Sequence, residues 1–533
     1  MSGGVERLCR DAVLTIAPPV RLPALLSLLF GALAALGFAP LELWPLTLAA
    51  LAAWLWLVHA APTVRAALWR GWLFGLGHFT VNNNWFQHAF DFQDAMPPVL
   101  GYFAAVALAL YLAVYPALAA GLAWRFRSAC GPDWAFALAA GAAWTASEWL
   151  RAAMFTGYAW NPLAVIWVPA PAVPYLAALV GTYALSGLTV TVAASLILLA
   201  RARATRMSRP ALIGGAVLVA VLLSAVELVR PRAPEPDRTR LLHIVQPNIG
   251  QGERGETDNE RTLRTLIAGT ARPGSVPRLV IWPEGMVRDF VDTHYPDWIY
   301  QGRWPEVTRR RMRGVLGPRD LLVFGDTPVR FGPDGEVAAA ANATTVMDAR
   351  GELVARYAKA HLVPYGEYLP MPWLLRPLGL ARLVPGDIDF SPGPGPRSLD
   401  LPGFGPIGFQ TCYEIIFSGQ VIDPARRPRL LINPSNDAWF GKWGPPQHLA
   451  QARMRAIEEG LPVVRATPTG ISAVIAADGA LLATVPHERA GAITLPMPQP
   501  LPPTPFSHFG NALTLLAALL LAAGAVAIRA RGR

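Results

Sequence analysis

GPIGFQTCYEIIF, residues 405–417, is a short strand-like run that reaches a cysteine and turns directly into a second apolar run. A strand end followed by a tight turn holds a nucleophile out of a sheet, with backbone N–H groups nearby to receive an oxyanion. Cys412 is the residue so placed. A free thiol is mostly protonated at neutral pH, so it needs a carboxylate to take the proton and a cation to favour the thiolate. Glu284 in VIWPEG (280–285) and Lys359 in YAKAHLVPYGEYLP (357–370) supply one of each, both at ends of strand-like runs. Lys359 is one of only two lysines among 46 basic residues, and a chain so partial to arginine suggests a site that wants a compact ammonium. Singly, each residue has an ordinary explanation: a small buried hydrophobe, a capping carboxylate, a solvated strand-end charge. In this order and context they read as a nucleophile with its base and charge stabiliser.

Outward from that stretch, residues 240–490 alternate strand-like runs with turns. LLHIVQPNIG (241–250), PRLVIWPEG (277–285), RDLLVFGDT (319–327), NATTVMDARGELVARYAK (342–359) and RPRLLINPSN (427–436) have the β-branched runs and breaks of strands, as does 463–485. LVIW and LLIN lack alternation, as expected of strands buried on both faces. A helical stretch at 446–460 (PQHLAQARMRAIEEG) adds a covering layer, so an α/β domain is expected.

The rest of the chain is far more apolar. Over 533 residues the composition is 53% hydrophobic and 15% charged, which points to a membrane protein with a water-facing part. The net charge of +10 is spread between apolar runs and not gathered in a stripe, which argues against nucleic acid. Spanning-length stretches lie near 22–39, 43–60, 68–88, 99–124, 133–153, 173–200 and 210–229, with an eighth at 509–528. Arginines cluster at alternate ends: Arg7, Arg10 and Arg21; Arg65 and Arg70; Arg125 and Arg127; Arg201, Arg203, Arg206 and Arg209; Arg529, Arg531 and Arg533. The positive-inside rule then puts both termini in the cytoplasm. The expected organisation is a cytoplasmic N-terminus (1–21), a seven-helix membrane domain (22–229), an exported catalytic domain (230–508), an eighth transmembrane helix (509–528) and a cytoplasmic tail (529–533). No cleavable signal peptide is expected. Cys9 and Cys130 fall at cytoplasmic ends, so Cys412 is a lone thiol in a compartment that usually oxidises thiols. The nine histidines show no paired ligand spacing, and neither metal nor cofactor is expected.

The catalytic stretches resemble the nitrilase (carbon–nitrogen hydrolase) superfamily, whose Glu-Lys-Cys triad sits on an αββα sandwich. With the membrane part, the chain resembles the apolipoprotein N-acyltransferase family over nearly its full length. GALAALGFAP (31–40), GWLFGLGHFTVNNNWF (71–86) and SEWLRAAMFTGYAWNPLA (147–164) are family-like, as are QPNI, WPEG, KAHLVPYGEYLP, CYEIIF and NPSNDAWF. Where that family usually carries a small hydroxyl or Ala-type residue after WPE, this chain has Gly285 and Met286. The resemblance makes Cys412 the nucleophile, Glu284 the general base and Lys359 the oxyanion-stabilising cation. It gives Glu367 the task of positioning Lys359, and Tyr413 and Glu414 supporting roles beside the nucleophile. It further implies a bacterial inner-membrane enzyme with its catalytic domain on the periplasmic side. Such an enzyme moves an acyl chain from the sn-1 ester of a phospholipid, phosphatidylethanolamine above all, through a Cys412 thioester to the amino group of a diacylglyceryl-cysteine apolipoprotein, with ping-pong kinetics.

Both substrates are lipids, so some part of the catalytic domain should face the bilayer. FVDTHYPDWIYQGRW (290–304), with Trp298 and Trp304, and YLPMPWLLRPLGLARLVPG (368–386), with Trp373, Leu374 and Leu375, are the candidate lid or membrane arm. Pro370, Pro372 and Pro377 forbid a long helix in the second. Glu148 and Arg151 near a span end are read as pairing or snorkelling. Two other readings compete: a membrane-tethered amide or nitrile hydrolase with the same triad, and a catalytically dead lipid- or lipoprotein-binding membrane protein.

Overall fold

The structure is a computed structural model that describes residues 21–92, 97–129, 131–170, 172–204, 226–228, 230–253, 259–378, 382 and 388–531. The expectations for residues 1–20, Cys9, Cys130 and most of the 210–229 span lie outside the described residues. The chain divides into two compact units: Met1–Asn84 with Tyr102–Arg230 and Pro505–Arg533, and Trp85–Gly101 with Pro231–Thr504.

In the second unit the described strands are β1 (Asp237–Gln246), β2 (Arg278–Ile281), β3 (Leu321–Asp326), β4 (Val329–Phe331), β5 (Val337–Ala340), β6 (Ala343–Asp348), β7 (Leu353–Ala358), β8 (Ser398–Leu401), β9 (Gly405–Phe409), β10 (Leu431–Pro434), β11 (Val463–Ala466), β12 (Ser472–Ile475), β13 (Leu481–Val485) and β14 (Gly491–Met497). One sheet runs β14-β1-β2-β3-β6-β7 and the other β13-β12-β11-β10-β9-β8, with β4 and β5 forming a separate ribbon. Each large sheet has three parallel strands at its centre, β1–β3 and β9–β11, and antiparallel strands outside them.

The pleat explains the apolar runs without alternation. Successive side chains point to opposite faces, and both faces are covered. Leu279 and Ile281 enter the core between the sheets with Ile244, Val323, Ile407, Phe409, Ile432 and Val464. Val280 and Trp282 enter an outer core with Leu263, Leu266 and Met312, which belong to the helices Asn259–Gly269 and Pro305–Arg313. The helix Gly444–Glu459, almost entirely buried, packs on the outer face of the second sheet. The layers are thus helix, sheet, sheet, helix. At roughly 25 cal/mol per Å² of apolar surface removed from water, these two cores are the main stabilising term of the unit.

In the first unit, seven of the eight expected spans fall largely on described residues and those segments are mainly helical, but three helices are long and apolar enough to cross a membrane: Leu100–Trp124, Thr182–Ala200 and Asn511–Arg531. Leu22–Ala35 and Trp44–His59 are shorter apolar helices. Among the described residues, three of the eight expected spans are thus shown as helices of spanning length and hydropathy. The stretch 173–200 is not one continuous helix: Val173–Leu176 is 3-10, a single turn follows, and Gly181 at φ +85° breaks the chain before the spanning-length helix that starts at Thr182. Likewise 68–88 ends as an α-helix at Asn82 and continues as a 3-10 segment, Asn84–Phe92. Glu148 and Arg151 do not snorkel. Both are buried, 3.9 Å apart, and Glu148 accepts from Leu163 N–H (2.9 Å) while Arg151 donates to the Trp160 carbonyl (2.9 Å). They fasten the 154–163 connection.

Candidate active site

The carboxyl ends of two central parallel strands, β2 and β9, and of the antiparallel edge strand β7 carry Glu284, Cys412 and Lys359; the ends of parallel strands are the usual location for a site in an open α/β sheet. Glu284 lies three residues beyond β2, Cys412 three beyond β9, and Lys359 one beyond β7. β3 has to run close beneath the Glu284 loop, which is why Gly325 has no side chain: a Cβ there would lie 2.7 Å from Gly285 N and 3.0 Å from Glu284 Cα. Gly285 itself sits at φ +67°, in the left-handed region glycine favours, and Met286 fills the outer core. The Gly-Met pair after WPE is therefore a turn residue followed by a core anchor, and Glu284 keeps its place.

Lys359 is 1% exposed and donates to Glu367 Oε1 at 2.9 Å, with Glu284 Oε1 at 3.8 Å. Asn342 ties the two acids together, its Nδ2 donating to Glu284 Oε1 (2.7 Å) and Glu367 Oε1 (2.6 Å). Glu284 Oε2 accepts from the Asn436 N–H (2.8 Å) and Glu367 Oε2 from the Val363 N–H (2.8 Å). Burial alone would pull the Lys359 pKa down, but the Glu367 and Glu284 carboxylates outweigh it and hold the ammonium above its ordinary range. The opposite holds for Cys412. Burial and the Glu284 carboxylate push its thiol up, against the pull of Lys359, so at rest it is a thiol.

Cys412 occupies φ +52°, an uncommon conformation for a residue with a Cβ, at the start of the 3-10 turn Cys412–Ile416. Strain of this kind costs on the order of 1–3 kcal/mol and persists only where the surroundings fix it. Thr411 and Glu414 form a capping box around the turn, with Glu414 Oε2 accepting from Thr411 N–H at 2.7 Å. Glu414 Oε1 accepts from the Tyr357 hydroxyl (2.9 Å) and from the N–H groups of Ala360 (2.7 Å) and His361 (3.0 Å). One carboxylate thus clamps the Cys412 turn to the strand end that carries Lys359; burial raises its pKa to about 7 against those hydrogen bonds. The Tyr413 ring is buried beside Phe417 (5.2 Å between centroids) and His361 (5.9 Å).

The family models for the apolipoprotein N-acyltransferase N-terminal domain and for carbon–nitrogen hydrolases match residues 30–195 and 244–499. A curated apolipoprotein N-acyltransferase from Caulobacter vibrioides is 34% identical over 486 residues, covering 88% of this chain and 87% of its own. Another from Rhodopseudomonas palustris is 31% identical over 524 residues, covering 94% and 93%. The chain belongs to the apolipoprotein N-acyltransferase family. Among solved structures, an amidase from Nesterenkonia sp. is 18% identical and covers 50% of this chain and 93% of its own, with a TM-score of 0.33.

In this member of the apolipoprotein N-acyltransferase family the candidate lid residues divide. Trp373 is 75% exposed on the single turn Pro372–Leu375, Leu374 is exposed beside it, and Leu375 is half-buried. Trp298 and Trp304 are exposed too, but each leans on a fixed partner, Phe331 and Tyr300, while Tyr295 and Tyr300 belong to a small core. Several residues around the site escaped the sequence reading: Asn342, Asn433, Asn436, Asp437, His448 and Arg465. Four of them lay in plain view within or next to NPSNDAWF and the helix 446–460. Arg465, an arginine in the middle of the apolar run LPVVRA, was the clearest unread signal.

Proposed function

We propose that this protein is an inner-membrane N-acyltransferase that moves an acyl chain from the sn-1 ester of a phospholipid, phosphatidylethanolamine above all, to the N-terminal amino group of diacylglyceryl-cysteine apolipoproteins. The observation that carries this reading is the match, along most of the chain, to relatives of that name, with the helical and hydrolase parts joined in one polypeptide. The proximity of Glu284 and Lys359 to the Cys412 thiol supports the chemistry.

Cys412 rests as a thiol, so its attack on the ester carbonyl needs a base, and Glu284 takes the proton as the C–S bond forms. The Lys359 ammonium and backbone N–H groups stabilise the oxyanion. Collapse breaks the C–O bond, and Glu284 returns the proton to the departing lysophospholipid alkoxide. The neutral amine of the acceptor then attacks the thioester. Glu284 takes its proton, the C–S bond breaks, and that proton returns to Cys412. Glu367 holds Lys359, Glu414 holds the Cys412 turn against it, and Tyr413 packs beside both. Trp298, Trp304, Trp373, Leu374 and Leu375 form the surface that meets the bilayer. Eight spans with cytoplasmic termini, at the boundaries read from the sequence, deliver the catalytic domain to the periplasmic side.

Intact-mass analysis of the purified protein incubated with phosphatidylethanolamine tests the reading. An added acyl mass is expected, removed by neutral hydroxylamine, absent from Cys412→Ala, and discharged by a diacylated lipopeptide. A folded protein that takes up no acyl group from any phospholipid would contradict it.

A further inference from the structure

The strained Cys412 backbone has a second support, a buried polar cluster around Arg465. Its carbonyl oxygen accepts from Asn433 Nδ2 (3.2 Å) and lies 3.2 Å from His448 Nε2. Asn433 and Arg465 are register partners on the parallel strands β10 and β11, and Arg465 Nη1 donates to Asn433 Oδ1 at 2.6 Å. That bond fixes which way the Asn433 amide faces and leaves its NH₂ for Cys412 and for the Gln410 carbonyl (2.6 Å). Arg465 Nη2 lies 2.9 Å from His448 Nδ1. The same Nδ1 lies 3.1 Å from Asp437 Oδ1, so it faces both a donor and an acceptor. The Cys412 carbonyl only accepts, so His448 meets it with a proton on Nε2. Asp437, which accepts from Ser435 Oγ (3.0 Å), pairs with the same Nη2 and anchors the fork. Asn433, Asp437, His448 and Arg465 are all fully buried. One guanidinium therefore orients both donors to a single carbonyl.

In a trans peptide the C=O and the following N–H point in opposite directions. Holding the Cys412 oxygen toward Arg465's network turns the Tyr413 N–H away from it. We propose that Arg465, acting through Asn433 and His448, is a positioning residue for the acylation step: it fixes the 412–413 peptide so that the Cys412 sulfur and the Tyr413 N–H are held in one orientation for the developing oxyanion. This rests on the acyl-transfer reading above, and it assigns that reading a set of residues behind the nucleophile that no step of the chemistry touches.

The test uses the full chain in detergent, with p-nitrophenyl butyrate as acyl donor and the burst of p-nitrophenolate as readout. His448→Leu removes one donor at similar volume; the folded variant is expected to acylate about 10²-fold more slowly, the effect of losing well-oriented oxyanion stabilisation, with KM unchanged. His448→Gln keeps an N–H for the carbonyl and an oxygen for Arg465, and is expected to recover most of that loss. Arg465→Lys keeps a charge beside Asp437 but cannot serve both donors as a fork, so it is expected to slow acylation without raising KM. Wild-type burst rates in folded His448→Leu or Arg465→Lys would overturn the proposal, as would equal losses in the Leu and Gln variants. Failure of both His448→Leu and Arg465→Lys to fold would also overturn it, by making the cluster a folding device. Because this ester needs no phospholipid, a wild-type protein that acylates from it but not from phosphatidylethanolamine would refute the proposed donor while leaving this test readable.

Discussion

Lys359 stands between two carboxylates, 2.9 Å from Glu367 and 3.8 Å from Glu284, with almost no exposure to water. Its folded pKa lies above the ordinary value of 10.5. The stability it contributes is therefore complete below that value and is lost only as pH rises through the higher folded one. The expected outcome is that thioester formation shows no alkaline decline between about pH 7.5 and 10, because the ammonium persists throughout. A pH profile of the acylation burst that falls with a midpoint near pH 9 would contradict it. At this scale the sequence was informative where a residue type is scarce or chemically pointed, as with Cys412, one of three cysteines, and Lys359, one of two lysines. Asn342 carried no such signal: an asparagine in AANATT looks like turn punctuation, and only folding brings its amide against both Glu284 and Glu367.

Three strand ends meet at the site, and their spacing depends on how closely the elements pack. β3 can pass under the Glu284 loop only because residue 325 is glycine. Gly325→Ala would press a methyl group against the Gly285 nitrogen and displace the loop by a few tenths of an ångström or more. Misplacing a catalytic group by about 1 Å costs as much as ~10²-fold in rate, so the expected result is an acylation rate lowered by at least about ten-fold while the protein stays folded. Burst kinetics beside a melting curve would check it; an unchanged rate would mean that the loop yields without moving the carboxylate. The strands themselves were legible because LVIW, LLVF and LLIN are unbroken apolar runs, and both faces of those strands are indeed covered. The short pieces were not. The 3-10 turn that starts at Cys412, and the break at Gly181 that shortens the sixth apolar stretch, are set by local backbone conformations that hydropathy does not register.

At the scale of the whole molecule, the arginine pattern predicts cytoplasmic termini and an exported catalytic unit. Arg65 and Asp334 are both exposed and stand on sides of the membrane that this topology opposes. With the native thiols blocked or replaced, a cysteine at Asp334 (D334C) is expected to react with a membrane-impermeant maleimide in spheroplasts. One at Arg65 (R65C) is expected to react only in inverted vesicles. Labelling of both from one side would break the topology.

The set of reactive residue types, the run of apolar segments and the α/β character of residues 240–490 were legible before folding, because each is written in composition and period along the chain. The tertiary structure alone decided which groups hold the reactive ones in place. Asn342, Glu414, His448 and Arg465 act on residues far from them in the chain, through hydrogen bonds that exist only once two sheets have packed and buried polar groups must find partners. It also decided where individual helices end, as at Gly181, where backbone conformation and not the end of the apolar run sets the boundary.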